Sequence, residues 1–302
     1  MNRNLDRVAI EADHACFAYP DGTEAIADLS FRAMAGEFVA VMGANGSGKT
    51  TLLKLLMRLV RPQQGRISLD GADVAALHPA ELYRRVGMVF QNPADQLFGS
   101  SVADDVAFGP RNLGLEPDEV EARVERSLLA VDALSLRDRP IHHLSYGQQK
   151  RVCLAGVLAM QPGVLLLDEP TAGLDPAGEH QMVELLMRLN REQGVTMILS
   201  THGVDLLPVL ADRIYVLARG HVFQEGTPRE VLADPQRAMQ AGLRIPLIAQ
   251  LFCELAGPDG LSLDALPLTV DEARRQIVRW LADGASARAE GVSVPAKEGD
   301  RP

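Results

Sequence analysis

Eight residues, Gly43-Ala44-Asn45-Gly46-Ser47-Gly48-Lys49-Thr50, set a lysine and a hydroxyl directly behind a run of glycines. The chemistry such a run serves is the holding of a polyphosphate. Glycines let successive backbone N–H groups turn inward on the phosphates, and a helix opening there adds the positive end of its dipole. Gly43, Asn45, Gly46, Ser47, Gly48, Lys49, Thr50 and Thr51 form the expected contact set. In it Lys49 reaches the β- and γ-phosphates and Thr50 offers its hydroxyl to Mg²⁺. A second cluster, Asp168-Glu169, ends the apolar run Val164 to Leu167. Asp168 is placed to hold Mg²⁺, and Glu169 to polarise an attacking water as general base.

Four weaker signals stand near these. Gln91 leaves the run Arg85 to Phe90; a glutamine there can ligate Mg²⁺ or orient a water, and a solvated loop residue looks the same. His202 follows Val195 to Ser200 and can donate to a γ-phosphate or position water. Tyr19 closes the run from Ile10, where its ring can stack on a purine or merely close a sheet edge. Ser145, in Leu144-Ser145-Tyr146-Gly147-Gln148-Gln149-Lys150-Arg151, reads as a helix N-cap that leaves backbone donors to meet an anion.

These residues need elements that present them on one side. The unbroken apolar runs Phe38–Met42, Val164–Leu167 and Val195–Ser200 read as strands buried on both faces of a parallel sheet, whose carboxyl ends are where ligands bind. Glu179 to Arg191 reads as a helix burying Met182, Val183, Leu185, Leu186 and Leu189. Ile10–Tyr19 and Ala25–Phe31, joined by the turn Pro20-Asp21-Gly22, predict antiparallel strands, with Ala25, Ala27, Leu29 and Phe31 on one face. Gly65–Gly71 and Arg85–Phe90 predict two more. From Glu116 to Val131 the period changes, with Val120, Val124 and Leu128 at helical spacing, which marks an inserted helical region.

The chain of 302 residues is long enough for one large domain plus an extension. Forty acidic against thirty basic residues, a net charge of -10, argue against a nucleic-acid-binding surface, which needs clustered Lys and Arg. No stretch reaches the roughly 18 consecutive apolar residues of a membrane span, and Met1 to Asp13 is charged where a signal peptide would be apolar. Cys16, Cys153 and Cys253 lie far apart without CxxC spacing, so reduced thiols are expected in place of a disulfide or zinc site.

The phosphate loop, Gln91, Leu144–Gln148, Leu165–Pro170, Leu174-Asp175 and His202, in that order, resemble the ATP-binding cassette (ABC) family over about Tyr19 to Gly226. The resemblance implies an α/β P-loop NTPase fold: a RecA-like core, an antiparallel β subdomain, a helical subdomain at about 92–160 and a small C-terminal extension. It implies that residues 1–226 bind ATP and Mg²⁺. It further implies a dimer, with an identical or similar ATPase, in which each ATP lies between one subunit's phosphate loop and the other's turn at Ser145, Gly147 and Gln148, with Asp175 alongside. Tyr19 becomes the base-stacking residue, Gln91 the Mg²⁺ and water contact, and His202 the γ-phosphate sensor. Two positions depart from the common pattern: Tyr146 stands where glycine is usual, and Gly173 in a loop that often reads Ser-Ala-Leu-Asp.

A narrower resemblance comes from Gln91-Asn92-Pro93-Ala94-Asp95-Gln96-Leu97-Phe98 and the segment Val102–Asn112, which look like the ATPases of energy-coupling-factor importers of vitamins and transition metals. It implies a transmembrane coupling subunit docked near Asn92–Phe98, a membrane substrate-binding subunit, and a peripheral position on the cytoplasmic face of the cell membrane. Residues 227–283 form the expected extension, in which Thr269 and Glu272 cap a helix to about Leu281 with Ile277, Trp280 and Leu281 as its apolar residues. Residues 284–302 read as an unstructured tail. The Leu266-Pro267-Leu268-Thr269 box resembles cobalt and nickel uptake ATPases. A vitamin importer is the alternative, and a soluble cassette acting on DNA or ribosomes the more distant rival.

Overall fold

The computed structural model describes residues 7–256, 263 and 265–289, the side chains only as far as residue 282. Strands β1 (Val8–Ala18) and β2 (Glu24–Met34) form a hairpin, and β3 (Phe38–Met42) runs into the glycine loop and α1 (Lys49–Leu56). Then come β4 (Gln64–Leu69), β5 (Ala72–Asp73), α2 (Pro79–Arg85) and β6 (Val86–Val89). The inserted helices α3 (Val102–Asn112), α4 (Pro117–Ala130) and α5 (Tyr146–Leu158) lead to β7 (Val164–Asp168), α6 (Pro176–Gln193), β8 (Thr196–Ser200) and α7 (Leu207–Leu210). Strands β9 (Arg213–Ala218) and β10 (His221–Gly226) precede α8 (Pro228–Leu232), α9 (Pro235–Gln240), α10 (Leu247–Ala256) and α11 (Val270–Ala289).

One sheet has the order β10-β9-β3-β8-β7-β6, parallel except at β10, and the other is antiparallel, β2-β1-β4-β5. Every residue of β3, β7 and β8 is buried, as uninterrupted apolar runs in a parallel sheet require. Helix α1 fills the space between the sheets. Its Leu52, Leu53, Leu55 and Leu56 are fully buried against Ile10, Leu29, Val39 and Leu166, and each contributes about 1.5–3 kcal/mol of apolar burial. This buried helix fixes the glycine loop at the carboxyl end of β3.

The alternation expected for β2 holds from Ala27 through Leu29 and Phe31, all buried, and slips between Ile26 and Ala27, next to Asp28, which takes a left-handed φ of 45° opposite His14 at 49°. Register shifts bracket Ala15, so Ile26 and Ala27 are both buried, Ile26 fully, while Ala25 is half-buried. The two irregular residues then meet side by side, His14 Nδ1 lying 2.6 Å from Asp28 Oδ1.

The chain divides into two compact units that meet after Arg244. Helices α8 and α9, beyond the Gly226 boundary taken from sequence, belong to the first; Val231 and Leu232 are buried there. In the second unit Thr269 accepts the N–H of Glu272, and the Glu272 carboxylate accepts that of Leu268, so the predicted box closes one residue earlier than usual. Trp280 stacks on Phe252 at 5.5 Å, whereas Ile277 and Leu281 are exposed. Helix α11 runs beyond Leu281 to Ala289, through Ala285, Ala287 and Ala289, which favour helix. That corrects the start of the expected tail, the remainder of which, 290–302, lies outside the described residues.

Candidate functional site

The glycine loop leaves β3 at Gly43 and enters α1 through Gly48, whose φ of 107° only glycine adopts freely. A Cβ at Gly48 would lie 2.6 Å from the Ala25 carbonyl oxygen, so the β1–β2 hairpin presses on the loop from outside. Lys49 is buried and donates to the carbonyls of Gly43 (2.8 Å) and Ala44 (3.1 Å). Burial pushes its ammonium below the ordinary lysine range, and the carboxylates of Glu169 and Asp168 pull the other way. Ser47 Oγ is buried without a hydrogen-bond partner. An orphaned hydroxyl beside a lysine that has folded onto its own loop fits an anion with several acceptor oxygens.

The residues expected to hold Mg²⁺ come together at the start of α1 and the end of β7. Thr50 Oγ1 donates to Asp168 Oδ2 at 2.9 Å. The other carboxylate oxygen, Oδ1, accepts from the Ser200 hydroxyl at the end of the neighbouring strand β8. A hydroxyl and a buried carboxylate are hard oxygen donors of the kind Mg²⁺ takes, usually with phosphate and water completing its shell. Gln91 joins them in a cavity of about 260 Å³ that is also lined by Tyr19, Asn45, Gly46, Gly48, Lys49, Thr50, Thr51, Asp168 and Glu169. Tyr19 packs edge-on against Phe17 at 5.0 Å, and its hydroxyl lies 3.1 Å from Thr51 Oγ1. Its ring thus sits at the rim, anchored at the phenol end.

Glu169 follows β7 with a left-handed φ of 48°, sparsely populated for a non-glycine residue. Its N–H donates to the Ser200 carbonyl at 3.1 Å, and its carbonyl accepts from Ala172 N–H at 3.1 Å and from Lys150 Nζ at 2.8 Å. The Glu169 carboxylate pairs with His202, Oε2 to Nδ1 at 2.7 Å. His202 is 71% exposed and lines a neighbouring cavity of about 440 Å³, so the structure brings it to Glu169 and not to the phosphate loop.

The turn at Ser145 stands apart from all of these. Ser145, Gly147, Gln148 and Asp175 line a third cavity, of about 530 Å³, that shares no residue with the phosphate-loop cavity. Ser145 Oγ accepts the Gln148 N–H at 3.3 Å, and Gln148 Oε1 accepts the Ser145 N–H at 3.0 Å, a reciprocal capping box. The expected free donor at Ser145 is therefore already engaged; the box leaves Tyr146 and Gly147 out. Asp175 caps α6 by accepting from Gly178 N–H at 2.7 Å. The two unusual residues of this region belong together. At Gly173, φ 78°, an added Cβ would lie 2.9 Å from Tyr146 Cε1, and the Tyr146 hydroxyl lies 3.4 Å from the Gln91 carbonyl oxygen.

Sequence reasoning missed three residues. Ser200 holds Asp168; Gln96 accepts from Phe90 N–H (3.0 Å) and donates to the Cys153 carbonyl (2.9 Å), tying the segment after Gln91 to α5; and Lys150 is buried. Ser200 could have been found from its place at the end of a buried strand, whereas the other two depend on contacts between distant parts of the chain.

Comparison with known proteins agrees with this geometry. The profile of the family described as ABC transporter matches residues 26–172. The energy-coupling factor transporter ATP-binding protein EcfA of Methanocaldococcus jannaschii is 45% identical over 276 residues, 91% of this chain and 98% of the relative. The structure of cbiO1 from Clostridium perfringens, described as part of the ABC transporter complex cbiONQ, superposes with a TM-score of 0.70 at 39% identity, covering 82% of this chain and 99% of that one. A dimeric ATP-binding cassette in a post-hydrolysis state, bound to ADP and Pi, superposes with a TM-score of 0.67 at 27% identity, covering 73% and 99%. With a phosphate loop, an acidic strand end and the inserted helices all in the family arrangement, the chain belongs to the ATP-hydrolysing cassettes of ABC transporters, whose sequence relatives include energy-coupling-factor ATPases.

Proposed function

We propose that this chain is the peripheral ATPase of an energy-coupling-factor importer, bound at the cytoplasmic face of the membrane and driving uptake of cobalt or nickel ions. The observation that carries the coupling is an exposed aromatic pair. Phe98, 66% exposed, stacks edge-on at 4.6 Å against Phe108, 47% exposed, just after the Gln91 loop. The buried Asp105 accepts the N–H groups of Phe98 and Gly99 at 2.9 and 2.8 Å, so the ring is held out on a fixed backbone. Apolar surface presented this way suits a membrane partner's helix. Among the described residues no helix is long and apolar enough to cross a membrane, so the translocation path belongs to partner subunits. The cargo assignment draws on the Leu266-Pro267-Leu268-Thr269 box.

In hydrolysis Lys49 exchanges its loop carbonyls for the β- and γ-phosphate oxygens, and the N–H groups of the glycine loop cradle the rest. Glu169 orients a water and takes its proton as the water oxygen bonds to the γ-phosphorus and the bond to the leaving ADP oxygen breaks. Thr50, Asp168 and Gln91 would hold Mg²⁺, which when bound neutralises phosphate charge. His202, paired with Glu169, holds the carboxylate in place before ATP arrives and turns to the γ-phosphate afterwards. The Ser145–Gly147 turn of a second cassette closes the site, which accounts for its separation from the phosphate loop within one chain. Tyr19 stacks on the base.

The test is to recover the protein from its native membrane in mild detergent, identify the chains that accompany it by mass spectrometry, and assay uptake of labelled cobalt, nickel and biotin. Small integral-membrane partners, their loss with Phe98→Ala, and metal uptake that disappears with Lys49→Ala are expected. Biotin uptake in place of metal would move the cargo to the vitamin class; ribosomal or DNA-bound partners with no membrane chain would overturn the importer reading.

A further inference from the structure

Lys150 is 1% exposed, a charged side chain inside the cassette whose ammonium donates to a backbone carbonyl, that of Glu169, at 2.8 Å. Burying an ammonium costs several kcal/mol unless other groups hold it, and a methionine would fill the same space without that cost. Burial pushes the Lys150 ammonium below the ordinary lysine range, while the carboxylates of Glu169 and Asp168 favour its charge. The Tyr146 ring stands 5.6 Å from Nζ one turn earlier on α5, on the side of the Ser145 cap. The residue it grips is the one at the strained φ of 48°. Strain of that kind persists only where surrounding bonds over-determine it.

We propose that Lys150 is a positioning residue for Glu169: its ammonium, donated to the Glu169 carbonyl, fixes the left-handed backbone turn that aims the Glu169 carboxylate into the phosphate-loop cavity. The proposal rests on the reading of Glu169 as general base. Nζ and the Ala172 N–H share the carbonyl, so without the lysine the peptide keeps one bond and regains freedom about Glu169. Because α5 begins at the Ser145 turn, a shift of that helix on closure would move Nζ against the carbonyl and set the carboxylate in step with the closing of the site.

The test compares Lys150→Met, Lys150→Gln and Glu169→Gln in the full chain with the parent, reading kcat and KM for ATP hydrolysis, the affinity for a fluorescent ATP analogue, and thermal stability. A misaligned carboxylate predicts that Lys150→Met lowers kcat about 10²-fold with analogue affinity within about twofold of the parent. Lys150→Gln, which keeps an N–H donor one bond closer to the backbone, should restore at least about tenfold of the kcat lost in Lys150→Met. Met and Gln variants that both retain parental kcat overturn the proposal, as does a kcat loss that Gln fails to restore or that tracks lost analogue affinity. If Lys150→Met does not fold, Lys150→Leu takes its place as the variant without a donor, with the same loss of kcat expected and a parental kcat overturning the proposal. Glu169→Gln separates the two layers: its inactivity alongside an active Lys150→Met removes only the lysine's role, whereas an active Glu169→Gln removes the general-base reading itself.

Discussion

The phosphate-loop cavity and the Ser145 cavity, the two regions proposed to handle nucleotide, are finished to different degrees. On the loop side polar groups are poised but unsatisfied by anything permanent: Ser47 Oγ has no partner and Lys49 rests on carbonyls it can leave. On the other side the groups are spent on the fold itself, Ser145 and Gln148 on each other and Asp175 on the cap of α6. The first region resembles a lock already cut, and the second a piece of scaffold with one open edge. The difference teaches that the phosphate-loop groups are left free for a ligand within one chain, whereas those of the Ser145 turn are committed to the fold, which is what the proposed contribution to a second cassette requires.

Substitutions divide along the same line. Lys49→Ala should abolish hydrolysis, with a loss of about 10³-fold or more in kcat/KM, because the cation facing the phosphates is removed; retention of activity would break the comparison. Glu169→Gln should lower kcat by about 10²–10⁴-fold while leaving ATP bound, and single-turnover assays would show the trapped complex. Gly173→Ser should act through stability, costing about 1–3 kcal/mol by calorimetry, since its Cβ meets Tyr146 and its φ disfavours a side chain. A companion Tyr146→Ala should return the part due to the collision, visible as a coupling in the double-mutant cycle. Ser145→Ala should cost about 1 kcal/mol through the lost cap and reduce turnover without weakening nucleotide binding to an isolated chain.

Much of this was legible in the sequence because it is local. Buried parallel strands announce themselves as apolar runs, and the glycine loop and Asp168-Glu169 lie at their ends, so the gathering of these residues round one cavity followed from adjacency in the chain. What escaped depends on contacts between distant segments. Lys150, between Gln149 and Arg151, reads as a solvated helix position, and nothing nearby says that the turn after β7 will cover it. The burial of Ile26 beside Ala27 in β2 escaped because the bulge there is set by pairing with β1. The complementarity of Tyr146 and Gly173 escaped for the same reason: each is a departure when read alone, and together they are a fitted pair.

The approach of Ala25 to Gly48 has a consequence for how this chain can evolve. Gly48 is held by two unrelated demands, the path of the phosphate loop and the seating of the β1–β2 hairpin upon it. A duplicated copy that no longer hydrolysed ATP would be free to drift at Lys49 and Glu169, yet it would still be purged of changes at Gly48. Glycine there is a record of ancestry in the fold, and the lysine beside it is the record of a living activity.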